Sequence, residues 1–343
     1  MKILVYEHIT SGALCTAPLP TSLVREGNAM LEALLTDLAE NSSVQTVILR
    51  DYRLKLPAHI RHYYYIHNLD EFHCRWHDCL EGVDAVLPIA PETEGLLTKI
   101  QESVLKADKR LLGCHPEATA IATSKSQTAH CLAVAGLMTL PTTWLQDWQP
   151  DNAIADPLIC KPDDGVGSTD VLYFDNSTTL NRWKQGKPPE ILANRIVQPY
   201  LQGIAASLCL LCDKGEALLL CINQQHIQMK AGALYLRGIT VNTMAISKIF
   251  QEIADRIAHA LPKLWGFVGV DLILGPQPIV VEINPRLTTS YLGLRKTYGI
   301  NPTRWLLTLL DQGIKAVELP PNLGYKMTLI TEKQRVICAT DRY

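Results

Sequence analysis

A chain of 343 residues with 47% hydrophobic and 19% charged residues has the balance of a globular protein. It is long enough for two or three subdomains around substantial cores, which excludes a disordered polymer. A formal charge of −2 shows no electrostatic footprint for nucleic acid or an anionic membrane. The chain contains no uninterrupted apolar run of about 18 residues, so no membrane span is expected. Its opening run Met1–Glu7 is too short for a signal-peptide core and reads as a strand.

The first third alternates strand and helix patterns. Lys2–Tyr6 reads as a strand, Ser22–Glu40 as a helix with Leu23, Met30, Leu31, Leu34, Leu35 and Leu38 near a 3.6-residue period, and Val44–Arg50 as a second strand. Val83–Ala90 is a continuous apolar run that stops at Pro91-Glu92-Thr93-Glu94-Gly95; a helix over Leu96–Lys106 and a short strand at Leu111–Gly113 follow. Such alternation predicts an α/β unit with a parallel, doubly wound sheet over residues 1–115. Ligands there sit beyond the carboxyl ends of strands, near Glu7–Gly12 and Pro91–Gly95. No GxGxxG follows the first strand, so a nicotinamide dinucleotide is not expected.

From about Pro116 the rhythm changes. Ser124–Ala135 reads as a helix stopped by Gly136, and strands are expected from Pro141 to Trp144, over Leu158–Lys161 and over Val171–Phe174. A helix over Asn176–Gly186 and an extended run Ile196–Tyr200 come next. Ala205–Cys212 and Ala217–Asn223 are two strands joined by the Asp213-Lys214-Gly215 turn. A helix at Ser247–Leu261 precedes strands Gly266–Leu274 and Pro278–Ile283, which meet at the Gly275-Pro276-Gln277-Pro278 turn; a last amphipathic helix covers Ile300–Leu310. The ten cysteines are scattered through apolar segments, as expected of reduced, buried thiols in a cytoplasmic protein. Cys209 and Cys212 have CxxC spacing but lie in an expected strand, where residues three apart point to opposite faces. His73 and His77 would share a helix face with Cys74 and Cys79 nearby, without the second ligand pair that zinc requires.

Three segments carry chemistry. On the expected hairpin, Asp271 lies on one strand, while Glu282 and Asn284 share one face of the next and Ile283 turns to the core. Two carboxylates and an amide oxygen form a hard-ligand set suited to magnesium shared with substrate phosphates, and manganese is an acceptable substitute. Arg286 follows directly and offers a phosphate-binding guanidinium. Upstream, the strand ending at Lys161 leads into Pro162-Asp163-Asp164-Gly165-Val166-Gly167-Ser168, a loop whose amides can wrap phosphate, although it is no Walker sequence. Lys125 stands at a helix start, where an anionic ligand would offset its unfavourable dipole interaction. Val197-Gln198-Pro199-Tyr200-Leu201 suits an extended linker whose backbone could bond an adenine edge.

This order, lysine, Lys-Pro with a glycine loop, hinge, then Asp…Glu-x-Asn-Pro-Arg, resembles the ATP-grasp superfamily from Pro116 to about Arg295. The resemblance implies an ATP-binding lid subdomain at 116–197 and a catalytic subdomain at 198–343. It implies Lys125 and Lys161 as phosphate lysines and Gly165, Gly167 and Ser168 as the mobile loop. Gln198, Tyr200 and Leu201 correspond to the adenine hinge, and Asp271, Glu282 and Asn284 to the metal ligands. Gln198 stands where a glutamate is usual, and Ala205 where a ribose-binding glutamate is common. Tyr6-Glu7-His8…Ser11-Gly12, Glu26–Leu31 and Ala90–Gly95 further resemble the tyramine–glutamate ligases of methanofuran biosynthesis, whose bacterial relatives occur with methylofuran. That resemblance implies a ligase joining the glutamate γ-carboxylate to tyramine through an acyl phosphate. Arg286 would then steady the phosphoryl group, with Lys161 beside it. Thr288, Thr289 and Ser290 would line the acceptor site, Lys230 and Arg237 would reach the γ-phosphate, and Glu7 and Glu92 would hold an ammonium group. Another amide-forming ligase joining amino acids, or a nucleotide-binding regulator without turnover, are the alternatives. Small-molecule carboxylate and amine partners are expected, with homodimerisation left open.

Overall fold

The computed structural model describes residues 1–150, 156–165 and 170–330, together with the backbone of residues 336–337. The first unit runs β1 (Lys2–Glu7), α1 (Thr21–Ala39), β2 (Gln45–Asp51), β3 (His62–Ile66), α2 (Leu69–Gly82), β4 (Ala85–Ile89), α3 (Leu96–Lys106) and β5 (Arg110–Leu111). Its strands are all parallel, in the order β3-β2-β1-β4-β5. The order reverses between β1 and β4, so Glu7 and the loop after β4 lie together at the switch point. In α1 the buried large hydrophobic residues are Met30, Leu31, Leu34, Leu35 and Leu38, whereas Leu23, in its first turn, stays exposed. Strand β3 was not expected: His62-Tyr63-Tyr64-Tyr65 offers aromatic residues to both faces and so hides the alternation that marks a half-buried strand.

The rest of the chain continues with α4 (Pro116–Thr123), α5 (Lys125–Val134), β6 (Thr143–Trp144), β7 (Leu158–Pro162), β8 (Leu172–Phe174), α6 (Ser177–Gln185), α7 (Pro189–Leu192) and β9 (Arg195–Pro199). It is completed by β10 (Ile204–Asp213), β11 (Glu216–Lys230), β12 (Ala233–Met244), α8 (Lys248–Ala260), β13 (Gly266–Leu274), β14 (Ile279–Asn284), α9 (Tyr291–Tyr298), α10 (Thr303–Gln312), β15 (Met327–Ile330) and β16 (Val336–Ile337). Strands β14-β13-β10-β11-β12 form an antiparallel ladder, and β8-β7-β9-β6 form a second one that meets it through the single pair Ala233–Leu172. Two lobes joined at one point leave a cleft between them. The smaller lobe has its own core of Leu145, Trp148, Leu158, Cys160, Leu180 and Val197. Helices α4 and α5 do not belong to it: Ala118, Ala122 and Leu132 pack with Leu208, Val270 and Ile283 of the larger lobe. Residues 116–197 are therefore divided between two cores.

The parallel sheet is welded to the larger lobe. Ile3, Val5, Leu31 and Leu34 share one continuous apolar cluster with Leu211, Phe267, Tyr291, Leu294 and Trp305. Asp37 of α1 seals the seam from the polar side. Its carboxylate accepts from Tyr291 Oη at 2.5 Å and from Arg295 Nε at 2.8 Å, and its backbone carbonyl accepts from Asn301 Nδ2 at 2.6 Å. Cys209 belongs to this shared core while Cys212 lies in the core on the opposite side of the sheet, as residues three apart on a strand require. Among the described residues no helix is long and apolar enough to cross a membrane.

Asp37→Ala strands the buried Tyr291 hydroxyl and removes one of the two anions that Arg295 faces, leaving Glu40. It is expected to cost about 2–4 kcal/mol, less than a fully buried ion pair because Arg295 is partly exposed. Arg295→Ala should cost less than Asp37→Ala in urea denaturation, because the hydroxyl keeps its acceptor.

Candidate active site

The antiparallel ladder of β13 and β14 sets Asp271 directly opposite Glu282 and Gly269 opposite Asn284. The register shifts between Asp271 and Leu272, so Leu272 pairs with Val280 and Val281 is left without a partner. Such a bulge re-aims side chains next to it. Ile283 and Val280 turn into the larger core, which leaves Glu282 and Asn284 on the other face. Glycine is required at 269, because a Cβ there would lie 2.7 Å from Thr288 Cγ2.

Asp271 and Glu282 cannot both carry charge at ease in this place. Burial pushes the Asp271 carboxyl well above the usual carboxylate range, and the neighbouring Glu282 adds to the effect. Glu282 is held low against its own burial by Lys125 and Lys161. Gln225 of β11 donates from Nε2 to Asp271 Oδ1 at 3.0 Å. This donor set suits a small divalent cation: two partly buried carboxylates and an amide oxygen on neighbouring strands, one carboxyl pushed toward its neutral form by burial and then by its neighbour.

The two lysines arrive from different lobes. Ser124 caps α5, accepting from Gln127 N at 3.2 Å, and Lys125 is the first helical residue. Its buried ammonium donates to Gly165 O at 2.7 Å and Asp163 O at 3.2 Å, and lies 3.5 Å from Glu282 Oε2. The helix start therefore finds its anion within the protein: Asp163 Oδ1 accepts from Ser126 N at 2.8 Å. Lys161, at the end of β7, is buried, and desolvation lowers its pKa to about 8. Lys125 lowers it further, while Glu282 and Asp271 oppose both effects.

These groups face a cleft of about 540 Å³ between the lobes. Of the residues expected from sequence it gathers Lys125, Lys161, Gly165, Gln198, Tyr200, Leu201, Asp271 and Glu282, with Ala205 also on its wall. Ile159 and Leu140 from one side and Leu272 and Val281 from the other supply apolar walls for a flat ring. Gln198 is buried and donates to Thr142 Oγ1 at 2.8 Å; the Tyr200 amide donates to Pro157 O at 2.7 Å. Gly167 and Ser168 lie outside the described residues. Gln224, Gln225 and His226 were missed because the polar run Asn223–Lys230 does not read as a strand, yet β11 continues through it.

The remaining expected residues stand elsewhere. Arg286 forms an ion pair with Glu92 across the seam between the two sheets, Nε to Oε1 at 2.9 Å and Nη2 to Oε2 at 3.1 Å. Glu92 thus already has a cationic partner within the protein. Glu26 of α1, given no role of its own in the sequence reading, joins this group: burial raises its pKa, Arg286 opposes that, and Glu92 adds to it. Glu7 is buried and accepts from Thr10 Oγ1 at 2.6 Å and Thr10 N at 2.8 Å, and a Cβ on Gly27 would touch its carboxylate. Thr288 and Ser290 hold each other at 2.8 Å in the turn before α9, and Thr289 sits between them. Lys230 is exposed at the β11–β12 turn, and Arg237 donates to Gln228 Oε1 at 2.7 Å beneath the Tyr235 ring. None of these last residues borders the cleft.

Comparison with known proteins places these features in context. A family profile described as an ATP-grasp domain matches residues 122–290, and one described as a pre-ATP-grasp domain matches residues 44–119. A curated relative from Methanocaldococcus fervens, named tyramine–L-glutamate ligase, is 25% identical over 284 residues, covering 80% of this chain and 84% of the relative. A solved structure described as an ATP-grasp superfamily protein from Archaeoglobus fulgidus superposes with a TM-score of 0.71 at 21% identity, covering 96% of this chain and 92% of the other. The biotin carboxylase domain of Hydrogenobacter thermophilus 2-oxoglutarate carboxylase, solved as a dimer with magnesium ADP and bicarbonate, has a TM-score of 0.68 at 14% identity, covering 95% and 73%.

The Lys161 ammonium should titrate near pH 8 in the ligand-free protein. NMR of its ε-carbon is expected to show the midpoint rise in Lys125→Met, which removes a like charge, and fall in Glu282→Gln, which removes an opposite one.

Proposed function

The chain belongs to the ATP-grasp superfamily, and from that premise we propose that it is an ADP-forming ligase that joins a carboxylate to an amine. The observation that carries the reading is the meeting of Asp271 and Glu282 with Lys125 and Lys161 at the cleft between the lobes. In this proposal ATP lies in that cleft, its adenine between the apolar walls and against the Gln198–Leu201 hinge. Asp271, Glu282 and Asn284 hold magnesium, with manganese as a substitute. The metal supplies charge neutralisation on the β- and γ-phosphates.

The chain's own groups do the rest. Lys161 and Lys125 offset phosphate charge while a carboxylate oxygen of the acid substrate attacks the γ-phosphorus. The bond from phosphorus to the β-bridging oxygen breaks, ADP leaves, and an acyl phosphate remains. Attack by the neutral amine on its carbonyl carbon forms the amide, expels phosphate and releases one proton. At this stage the walls of the cleft would exclude water. Arg286 is our candidate for steadying the departing phosphate. In the structure it is held by Glu92, so this role requires that ion pair to open or to be shared.

The named relative makes glutamate and tyramine our proposed substrates, and the resemblance of Tyr6–Gly12, Glu26–Leu31 and Ala90–Gly95 adds the γ-carboxylate and a place in methanofuran- or methylofuran-type cofactor biosynthesis as part of the same proposal. Magnesium-dependent phosphate release should require glutamate, with ADP and the glutamyl amide of tyramine formed in equal amounts. Release with a second amino acid in place of tyramine would assign an amino acid ligase. Nucleotide binding without acid-dependent release would leave only a binding protein.

Asp271→Asn and Glu282→Gln should each lower turnover by about 10²–10³-fold, the scale expected when a preorganised charge-stabilising group is lost, with the folded state retained in circular dichroism. Because burial holds a proton on Asp271 beyond the ordinary carboxylate range, magnesium must displace it. Magnesium affinity in calorimetry should therefore rise with pH through that raised value, with proton release on binding at the lower end. In Asp271→Asn the proton release should disappear and the pH dependence shrink to the part set by Lys161.

A further inference from the structure

A second opening lies where the parallel sheet meets the larger lobe, apart from the cleft. It is a groove of about 720 Å³. One wall comes from the end of α3 and from β5. The other comes from the β10–β11 turn, the loop between α8 and β13, and the end of α10. Its volume lies in the range of sites that hold small molecules. Leu105, Trp265 and Leu309 give it apolar walls, and it shares no lining residue with the cleft that gathers Lys125, Lys161, Asp271 and Glu282.

The charged groups on this groove indicate its occupant. Lys109, Arg110, Lys214 and Lys263 line it against Asp213 and Asp311, four cations to two carboxylates. Lys263 is ion-paired with Glu117, and Lys109 Nζ donates to Glu81 O at 3.2 Å. Arg110 and Lys214 are exposed, and neither side chain bonds another described residue. Asp213 stands apart from all of these. It ends β10 and is only 6% exposed, yet its carboxylate makes no hydrogen bond or ion pair with a described residue. A buried carboxylate is ordinarily matched by a cation or by several donors. Asp311 is instead exposed on the last turn of α10, where solvent reaches it.

The groove thus offers one buried anion for a cation, and two unpaired cations, on opposite walls, for two anions. Its surplus of positive charge favours a ligand that is negative as a whole. An ammonium group and two carboxylates on a short apolar stem meet each of these conditions. We infer that this groove binds an acidic α-amino acid, with its ammonium on Asp213 and its carboxylates on Lys214 and Arg110. The inference is independent of the chemistry proposed for the cleft, because the two sites have no residue in common. Glutamate is also our proposed substrate, so the test needs a readout that belongs to the groove.

The indole of Trp265 provides one, since Trp265 lines the groove and not the cleft. In NMR of the isotope-labelled full chain without nucleotide, L-glutamate or L-aspartate should shift the Trp265 indole resonance saturably, with Trp265→Phe assigning the signal. Glutarate, which lacks the ammonium, and γ-aminobutyrate, which lacks one carboxylate, should each bind about tenfold more weakly, the scale of one lost charge-assisted contact. Asp213→Asn should weaken glutamate about tenfold without weakening glutarate, because only the ammonium contact is lost. Arg110→Ala and Lys214→Ala should weaken both ligands, and these exposed substitutions should leave circular dichroism unchanged. An indole unmoved by millimolar glutamate would overturn the inference. So would inorganic phosphate binding as tightly as glutamate, or equal losses for glutamate and glutarate in Asp213→Asn. None of these readouts uses turnover, so the proposed ligase reaction stands or fails separately.

Discussion

The arrangement depends on the cost of burying two carboxylates side by side. Asp271 and Glu282 face each other on adjacent strands in surroundings that raise the pKa of one and leave the other dependent on lysines. Such a pair persists only if cations are supplied. Lys125 comes from the start of α5, which packs on the larger lobe, and Lys161 from β7 of the smaller lobe, so neutralising the pair draws both lobes to the mouth of the cleft. The chemistry we propose uses the same imbalance: a site short of positive charge receives a metal, and two lysines short of negative charge receive phosphates.

The parallel sheet contributes in a different way. Its core is continuous with that of the larger lobe, and Asp37 ties α1 to α9 and to the turn before α10. The seam is therefore rigid where Glu92 meets Arg286. That ion pair, with Glu26 close by, carries two carboxylates for one guanidinium. The smaller lobe is held more lightly. One ladder pair with its backbone bonds, the Lys125 and Ser126 bonds to Asp163 and Gly165, and an Asp164 carboxylate that accepts from Glu94 N at 2.8 Å are among its links to the rest. Few contacts at that junction suit a lobe that must admit and release a nucleotide.

Much of this was legible in the chain. The hairpin at 266–284 could be read because the strands alternate cleanly and a Gly-Pro turn separates them, and its acids then fall on one face by period alone. The 3.6-residue stripe of α1 and the order of lysine, glycine loop and acids were equally plain. What escaped notice shares one cause: side chains whose environment comes from another part of the chain. Strand β11 runs on through Asn223–Lys230 because β12 and the cleft receive those polar groups, which no local pattern reveals. Strand β3 lacks alternation because its aromatic residues point to both faces of the sheet.

Sequence alone determined which residues can share a strand face or helix stripe, because backbone periodicity is a local property. It thereby determined the α/β order and that Glu282 and Asn284 share one face of a strand. Only the tertiary structure decided what those residues meet. It brought Lys125 within 3.5 Å of Glu282, paired Arg286 with Glu92, and divided residues 116–197 between two cores. Each of these is a long-range contact, and its free energy depends on burial by elements far away in the chain.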